Sequence, residues 1–431
     1  MRMRPDPAVV HRTQFSEWLR SEGLLDEDEL ERAGRNLPDG VQERILKIRP
    51  SAQGDRTDSN VTSIRVMPAE PRETVSASRL TVEGPRPEKL TRVAHHVPGV
   101  IHEVRGRRIF VGHQRTTVIL GEDRYFAPVR SPASPWIAPL LANAPMALRI
   151  DGTVAVLYAN GAHMFSHWMF DLLPNLEVLR RAGWTESNID FFIVNPALAN
   201  FQKETLRTLG IPEKKLIMAE GLLLEAETAL VPSRTRTGFK TPPWIREFIR
   251  DRFGPGEGSG SEKLKIYVSR ALARGRREGT GSEKLRIYVS RALARGRRIE
   301  NEEAIREVLE RRGYQTVYAE NHPVRDFAKL VARARSIAAP HGAGLANVVF
   351  APAGIQVLEM YGAALTQEFW LLTSGVGGQH FLLPGKDRDQ RYPWQSAEYP
   401  KMSYHTRNTA DFHVDLSDLD RALDLMDQAT L

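Results

Sequence analysis

From residue 153 onward, short apolar runs alternate with stretches whose apolar residues recur every three or four positions, the pattern of strands and helices in succession. Residues 153–158, 190–194, 215–218 and 222–231 predict strands, and residues 197–209 and 242–253 predict helices. Leu172, Leu176 and Leu179 predict a further helix that stops at Gly183. After a Gly-rich stretch the alternation resumes with strand 287–290, helix 301–312, strand 316–318 and helix 323–334. It continues with an apolar run at 337–339, a helix-like segment at 345–350, strand 355–358, helix 367–373 and strand 380–383. Strands separated by short helices imply parallel sheets with right-handed crossovers. Two such sheets on either side of Gly254-Pro-Gly-Glu-Gly-Ser-Gly260 predict an α/β protein of two Rossmann-type domains facing a cleft. The upstream runs 108–111, 116–120 and 146–150 read as an antiparallel entry to the first domain.

The expected organisation is a poorly ordered leader over 1–95, an acceptor-side domain over 96–254, a joint with a duplicated insertion over 255–281, a second domain over 282–415 and a terminal helix over 416–431. Within the leader, residues 15–30 carry one or two short helices, and residues 51–87 hold too few large apolar side chains to offset the entropy of ordering. The duplication is explicit: residues 260–277 recur at 281–298 with one change, Lys265 becoming Arg286. Two copies are too few for a solenoid and point to tandem duplication, one copy filling a strand and the other standing out as an insertion. The second copy runs directly into Ile299-Glu-Asn-Glu-Glu and is the expected strand, with Asn301 and Glu302 starting and capping the helix.

The chain has 431 residues, 41% of them hydrophobic and 26% charged, which suits a globular protein of two or three domains. No apolar run approaches the roughly 18–20 residues of a spanning helix, and the N-terminus lacks the apolar core of a signal peptide, so a cytoplasmic location is expected. The absence of cysteine excludes disulfides, thiolate metal sites and a cysteine nucleophile. The net charge of +7 invites an anionic substrate, a membrane surface or nucleic acid as partner. Much of that excess is local, because residues 260–280 carry six Lys or Arg and two Glu, and without them the net charge would be about +3.

Candidate chemistry concentrates in two stretches. In the first, Ser336 to Tyr361, an apolar run stops at Pro340, and a His341-Gly342-Ala343-Gly344 turn leads into an apolar helix-like segment beginning at Leu345. Glycines at such a turn permit close backbone approach, and the helix start aims unpaired N–H groups at the same point, so the turn suits an anion such as diphosphate. Its spacing is neither the dinucleotide fingerprint nor a Walker A loop. The second stretch places His163, His167 and Asp171 four residues apart, on one face of a helix if the helix already covers them.

Taken together, His167-Trp168 with Asp171, Leu173-Pro174, Tyr288-Val-Ser-Arg291, Arg298-Ile-Glu-Asn-Glu302 and His341-Gly-Ala-Gly-Leu-Ala-Asn347 with Phe350, Gly354 and Glu359 resemble the ordered motifs of glycosyltransferase family 61, bacterial branch, a set attached to capsular polysaccharide synthesis. The resemblance spans residues 101 to 416 and implies a GT-B-like arrangement, inverting transfer from a nucleotide sugar with no cofactor, and a donor bound mainly by the C-terminal domain. Asn175 departs from it, standing where the family carries a basic residue. Inversion needs a base for the acceptor hydroxyl and charge stabilisation for the departing nucleoside diphosphate. His167 is the expected base, oriented by Asp171, with His163 in reserve. A UDP- or GDP-linked donor would meet Arg291, Arg295, His341, the backbone from Gly342 through Ala343 and Gly344 to Leu345, Asn347, and Glu359 at its ribose. Arg297 and Arg298 read as ordinary solvated arginines. A His163–His167–Asp171 metal site is the lesser alternative, and no Asp-x-Asp motif accompanies the anion turn.

Two other classes compete. The repeated Ala-Arg-Gly-Arg-Arg would serve a nucleic-acid- or anionic-membrane-binding protein, although no aromatic residues interleave with the arginines and no nucleic acid is expected. A Rossmann-type oxidoreductase or epimerase is disfavoured by the missing fingerprint. The expected partners are a nucleotide sugar, a glycan or glycolipid acceptor and, peripherally, an anionic membrane.

Overall fold

The computed structural model describes residues 49–50, 61–67, 73–74, 78–82, 93–94, 98–106, 108–111, 117–120, 124–129, 148–157, 159, 161–195, 198–218, 222–236, 239–255, 285–395, 402 and 404–429. The helices expected at 15–30, the Gly-rich joint beyond Pro255 and the first repeat copy lie outside them. Two compact units divide the chain: Met1–Glu70 with Val97–Arg236, and Pro71–His96 with Thr237–Leu431. The division falls after Arg236, so helix Pro243–Phe253, expected to close the first domain, is counted with the second unit.

The strands of the first unit are β1 (Val61–Met67), β2 (Gly99–Val104), β3 (Arg108–Val111), β4 (Thr117–Leu120), β5 (Arg124–Val129), β6 (Leu148–Leu157), β7 (Phe191–Val194), β8 (Leu216–Met218) and β9 (Leu222–Pro232). They form one mixed sheet in the order Arg49–Pro50, β5, β4, β3, β9, β6, β7, β8. Strands β9, β6, β7 and β8 run parallel. β1 to β5 enter antiparallel, β2 and β3 both pairing with β9, and Arg49–Pro50 pairs parallel with β5. The two strands expected at 146–150 and 153–158 are one strand, β6, whose register slips between Ile150 and Thr153. Gly152 takes φ +117° at this bulge, and a Cβ there would collide with the Asp190 carboxylate, which accepts a hydrogen bond from Thr153 N–H at 2.8 Å. Val154, Val156, Ile193, Leu224 and Ala229 are among the buried side chains that join these strands into a core.

The stretch read as linker holds strand structure. β1 pairs antiparallel with β2 from Val61 to Met67, and its side chains from Thr62 to Arg65 are exposed. An edge strand takes its hydrogen bonds from a sheet that already exists, so it forms without the large apolar residues that burial would require.

In the second unit β10 (Leu285–Val289), β11 (Tyr314–Val317), β12 (Ala334–Pro340), β13 (Gln356–Tyr361) and β14 (Gln379–Pro384) make an all-parallel sheet in the order β11, β10, β12, β13, β14, with Arg79–Leu80 added parallel at the β14 edge. β10 belongs to the second repeat copy. Sheets of this kind are covered on both faces, and every residue of β13 is buried. Helix Glu302–Arg311 ends before Gly313, whose φ of +84° breaks the helix and turns the chain into β11. The terminal helix Leu416–Gln428 starts on Asp415, whose side chain accepts from the Ser417 and Asp418 amides, and it buries Leu419, Ala422, Leu423 and Met426 against Phe381 and Leu383. Among the described residues no helix is long and apolar enough to cross a membrane.

Candidate active site

In open α/β sheets, ligands bind outside the carboxyl ends of the strands, where successive connections leave in opposite directions. Each unit has such a point. In the first, the chain leaves β6 outward to β7 and β8 and then returns to β9 on the other side of β6. The end of β6 leads through Gly161 into a helical segment, and the end of β9 at Pro232 leads to Arg236.

That helical segment begins as one α-turn at Phe165–His167, widens to a π-turn over Trp168–Leu172 and continues as helix Pro174–Arg181. A π-turn inside a helix is uncommon and recurs at functional sites. Trp168 anchors it: the buried indole N–H donates to Thr205 Oγ1 at 2.8 Å and the ring stands edge-on to Phe201. His167 Nδ1 lies 2.5 Å from Asp171 Oδ2. Arg236 Nε donates to Asp171 Oδ1 at 2.5 Å and its Nη2 to Oδ2 at 3.1 Å, while the guanidinium sits over the Phe170 ring. Burial by itself would raise the Asp171 carboxyl, but the Arg236 charge and the hydrogen bonds from His167 and Arg236 outweigh it and hold the group well below the usual carboxylate range. A permanent carboxylate accepts only, so His167 Nδ1 carries its hydrogen. Gly161, at φ +71°, packs against this imidazole, where a Cβ would come within 2.9 Å of His167 Cδ2.

His163 is not on this helical face. It lies exposed in the turn ahead of the helix, because the helix begins only at Phe165. The spacing of four therefore holds for His167 and Asp171 alone, and among the described residues no group of three or more His, Asp or Glu is placed to hold a metal ion. Arg236 was missed, being 65 residues from Asp171. Its only sequence signal is its place just after a strand end in Pro232-Ser-Arg-Thr-Arg236. Asn175, the departure from the family pattern, is buried and donates to the Asp171 carbonyl at 3.3 Å.

In the second unit β10 leads outward to β11, and the chain then crosses to β12 on the other side of β10. Arg291 follows the end of β10, and the His341–Gly344 turn follows the end of β12. The two meet, for a Cβ on Gly342 would overlap the Arg291 guanidinium, and one on Gly344 would come within 3.1 Å of Val289 Cγ1. The expected helix is a 3-10 segment, Ala343–Phe350. Among the described residues the amides of Gly342, Ala343 and Gly344 have no hydrogen-bond partner. Arg291 Nη2 donates to the Gly296 carbonyl at 3.1 Å, and its Nε is buried with no partner among the described residues. Burial, joined by the charge of Arg297, lowers the Arg291 guanidinium to about 10, against the opposing pull of Glu320, Asp411 and Glu302. Among the described residues, a cation and three amides without a partner thus meet at a strand-end switch point, the kind of donor set that suits an anion.

Several expected donor residues have other work. Leu345 N–H donates to the Gly342 carbonyl and Asn347 Nδ2 to the Gly344 carbonyl, both at 3.0 Å, so these two close the turn. Glu359 is fully buried between His341 Nδ1, which it holds by a short hydrogen bond, and His380 Nε2 at 2.9 Å. It cannot reach a ribose hydroxyl and instead backs His341. Arg295 is exposed on the loop after β10. Arg298 binds Asp411 through both its backbone and its guanidinium. Asn301 does not cap its helix; its side-chain amide exchanges hydrogen bonds with the Val414 backbone at 2.8 and 3.0 Å. Glu302 accepts from Tyr288 Oη and Ser290 Oγ at 2.7 and 2.6 Å.

The family model described as Glycosyltransferase 61 matches residues 165–358, a span that opens at the π-turned helix, takes in Arg236 and Arg291, and reaches past the glycine turn. No curated protein matches the chain. With the motif series quoted above now placed at two strand-end sites inside that span, the region 165–358 is what this chain shares with glycosyltransferase family 61.

Proposed function

We propose that this glycosyltransferase inverts the anomeric centre of a UDP- or GDP-linked sugar and delivers it to a cell-surface polysaccharide or its lipid-linked precursor. The observation that carries this reading is the Arg291 guanidinium laid against Gly342, beside the amides of Gly342, Ala343 and Gly344, which have no partner among the described residues. In a single displacement the acceptor oxygen bonds to the anomeric carbon as the bond to the diphosphate oxygen breaks, and charge grows on the leaving group. Fixed donors that need not reorganise are the efficient way to stabilise that charge. His167 Nε2 takes the acceptor proton, and Asp171, braced by Arg236, holds the opposite nitrogen.

On this reading the two units are the acceptor-side and donor halves of a GT-B arrangement, with His167 in one and the anion site in the other. The donor charge is met by arginine and amides without a required metal. The protein works at the cytoplasmic face of the membrane, where peripheral contact with anionic lipid keeps it near a lipid-linked acceptor.

Thermal shift against a nucleotide panel tests the donor. UDP or GDP is expected to raise Tm by several degrees, adenosine monophosphate much less, and Arg291→Ala to remove most of the shift. Absence of a shift with every nucleoside diphosphate would overturn the reading.

A further inference from the structure

His341 stands at the anion turn, yet the residues behind it belong to no part of the transfer chemistry described so far. Its ring is buried, 3% exposed, and meets the Phe369 ring edge-on. Nδ1 is held by Glu359 Oε1, and no hydrogen bond reaches Nε2 among the described residues. The other Glu359 oxygen lies 2.9 Å from His380 Nε2, an ion-pair contact outside hydrogen-bond geometry, and His380 Nδ1 lies 2.8 Å from Ser78 Oγ. All of these residues are buried.

The register explains the cluster. β13 and β14 run parallel with Val357 beside His380, so Glu359, two residues beyond Val357, shares its face. The Arg79–Leu80 strand pairs Arg79 with Phe381 on the far edge of β14, which puts Ser78 beside His380. Ser78 lies 302 residues from His380 in sequence and outside the span matched by the family.

The proton inventory has one solution. Burial would raise the Glu359 carboxyl, but the charges and hydrogen bonds of His341 and then His380 lower it to about 2, so it is an acceptor only. His341 Nδ1 and His380 Nε2 must then both carry hydrogen. With its hydrogen on Nε2, His380 offers Nδ1 as an acceptor, which suits the Ser78 hydroxyl as donor; the competing bond from Ser78 Oγ to the His380 carbonyl is long, at 3.4 Å. Each contact constrains the next ring, and the chain of them ends on His341, leaving Nε2 as the ring nitrogen it does not engage.

We propose that Ser78, His380 and Glu359 are positioning residues which, through one buried relay of polar contacts, lock the His341 imidazole with Nδ1 protonated and Nε2 presented to the diphosphate of the donor. This rests on the donor reading given above. In the protonated ring Nε2 bears the hydrogen that a phosphate oxygen accepts as the sugar leaves. The segment before residue 97 thereby contributes to donor binding without touching the donor.

A double-mutant cycle separates positioning from packing. In the wild-type background Ser78→Ala is expected to weaken UDP or GDP binding about three- to tenfold, with Ser78→Thr restoring it. In a His341→Ala background Ser78→Ala is expected to change nothing, since the ring it positions is gone. An equal loss in both backgrounds, or no loss in the wild type, overturns the relay. Imidazole nitrogen NMR of the free protein gives an arm that does not depend on the nucleotide. The His341 signals, assigned by their loss in His341→Ala, should report protonated Nδ1 and should move in Ser78→Ala. If they stay put, the relay is wrong even when nucleotide binds. If they move as expected and no nucleotide binds, the donor reading alone fails.

Discussion

Asp171 holds the first site together, and its environment separates two kinds of mutation. His167→Gln removes the proposed proton acceptor and leaves the Asp171–Arg236 pair intact. It is expected to lower kcat by about a hundred- to ten-thousand-fold with little change in Tm or in the nucleotide-induced shift. Asp171→Asn also removes the carboxylate paired with Arg236, whose side chain is 2% exposed, so about 3–5 kcal/mol of stability should go with the activity. Urea unfolding alongside steady-state rates resolves the two; equal stability loss in both variants would mean that Arg236 does not depend on Asp171. Glu359 makes a pH prediction of definite sign. Its carboxyl falls from 4.5 to about 2 on folding, so its contribution is complete above 4.5 and is lost as pH drops towards 2. Unfolding curves should therefore show the wild type losing stability more steeply than Glu359→Gln across that window, and parallel curves would refute the assignment. At this scale the sequence was half legible. The spacing of four exposes His167 and Asp171, whereas Arg236, His380 and Ser78 reach their partners only through strand order. Glu359 reads as a ribose acceptor because an acid at a strand end gives no sign that two histidines enclose it.

Among the elements, the 3-10 segment after β12 depends on glycine for room more than for dihedral freedom. Gly342→Ala is expected to push the Arg291 guanidinium aside and weaken nucleoside diphosphate binding by about tenfold, the effect of one lost charge-assisted contact. Gly344→Ala meets only the Val289 methyl, at 3.1 Å, and should cost less. Calorimetric titration of both variants with the same nucleotide checks the order, and a larger loss at Gly344 would place the anion elsewhere on the turn. The buried parallel strands and amphipathic helices were legible because burial imposes the very periodicities by which they are found. β1 was not, since an exposed edge strand carries no such imprint, and the merging of two predicted strands into β6 was hidden by the bulge at Gly152. The π-turn also leaves no mark in the apolar spacing, since it shifts the face by only part of a turn.

For the molecule as a whole, the duplicated segment poses the sharpest question, because both copies carry the same arginines. β10 is Leu285–Val289 of the second copy, and Arg291 beside Gly342 follows from it. Arg270 occupies the equivalent position in the first copy. If the anion site is built from the second copy, the two arginines are equal in sequence and unequal in function. Arg291→Ala should remove most of the stabilisation by UDP or GDP, and Arg270→Ala should leave it intact. Deletion of residues 260–280 should likewise preserve both the nucleotide shift and, within a degree or two, the Tm, since β10 and the residues that follow it remain. The deletion also lowers the net charge to about +3. Any binding to anionic vesicles that depends on these arginines should weaken and become less sensitive to salt. Retained nucleotide binding with weakened vesicle binding would assign the extra copy to the membrane contact and the second copy to the donor. Loss of the nucleotide shift on deletion, or equal effects of Arg270→Ala and Arg291→Ala, would show that the copies exchange places in the sheet.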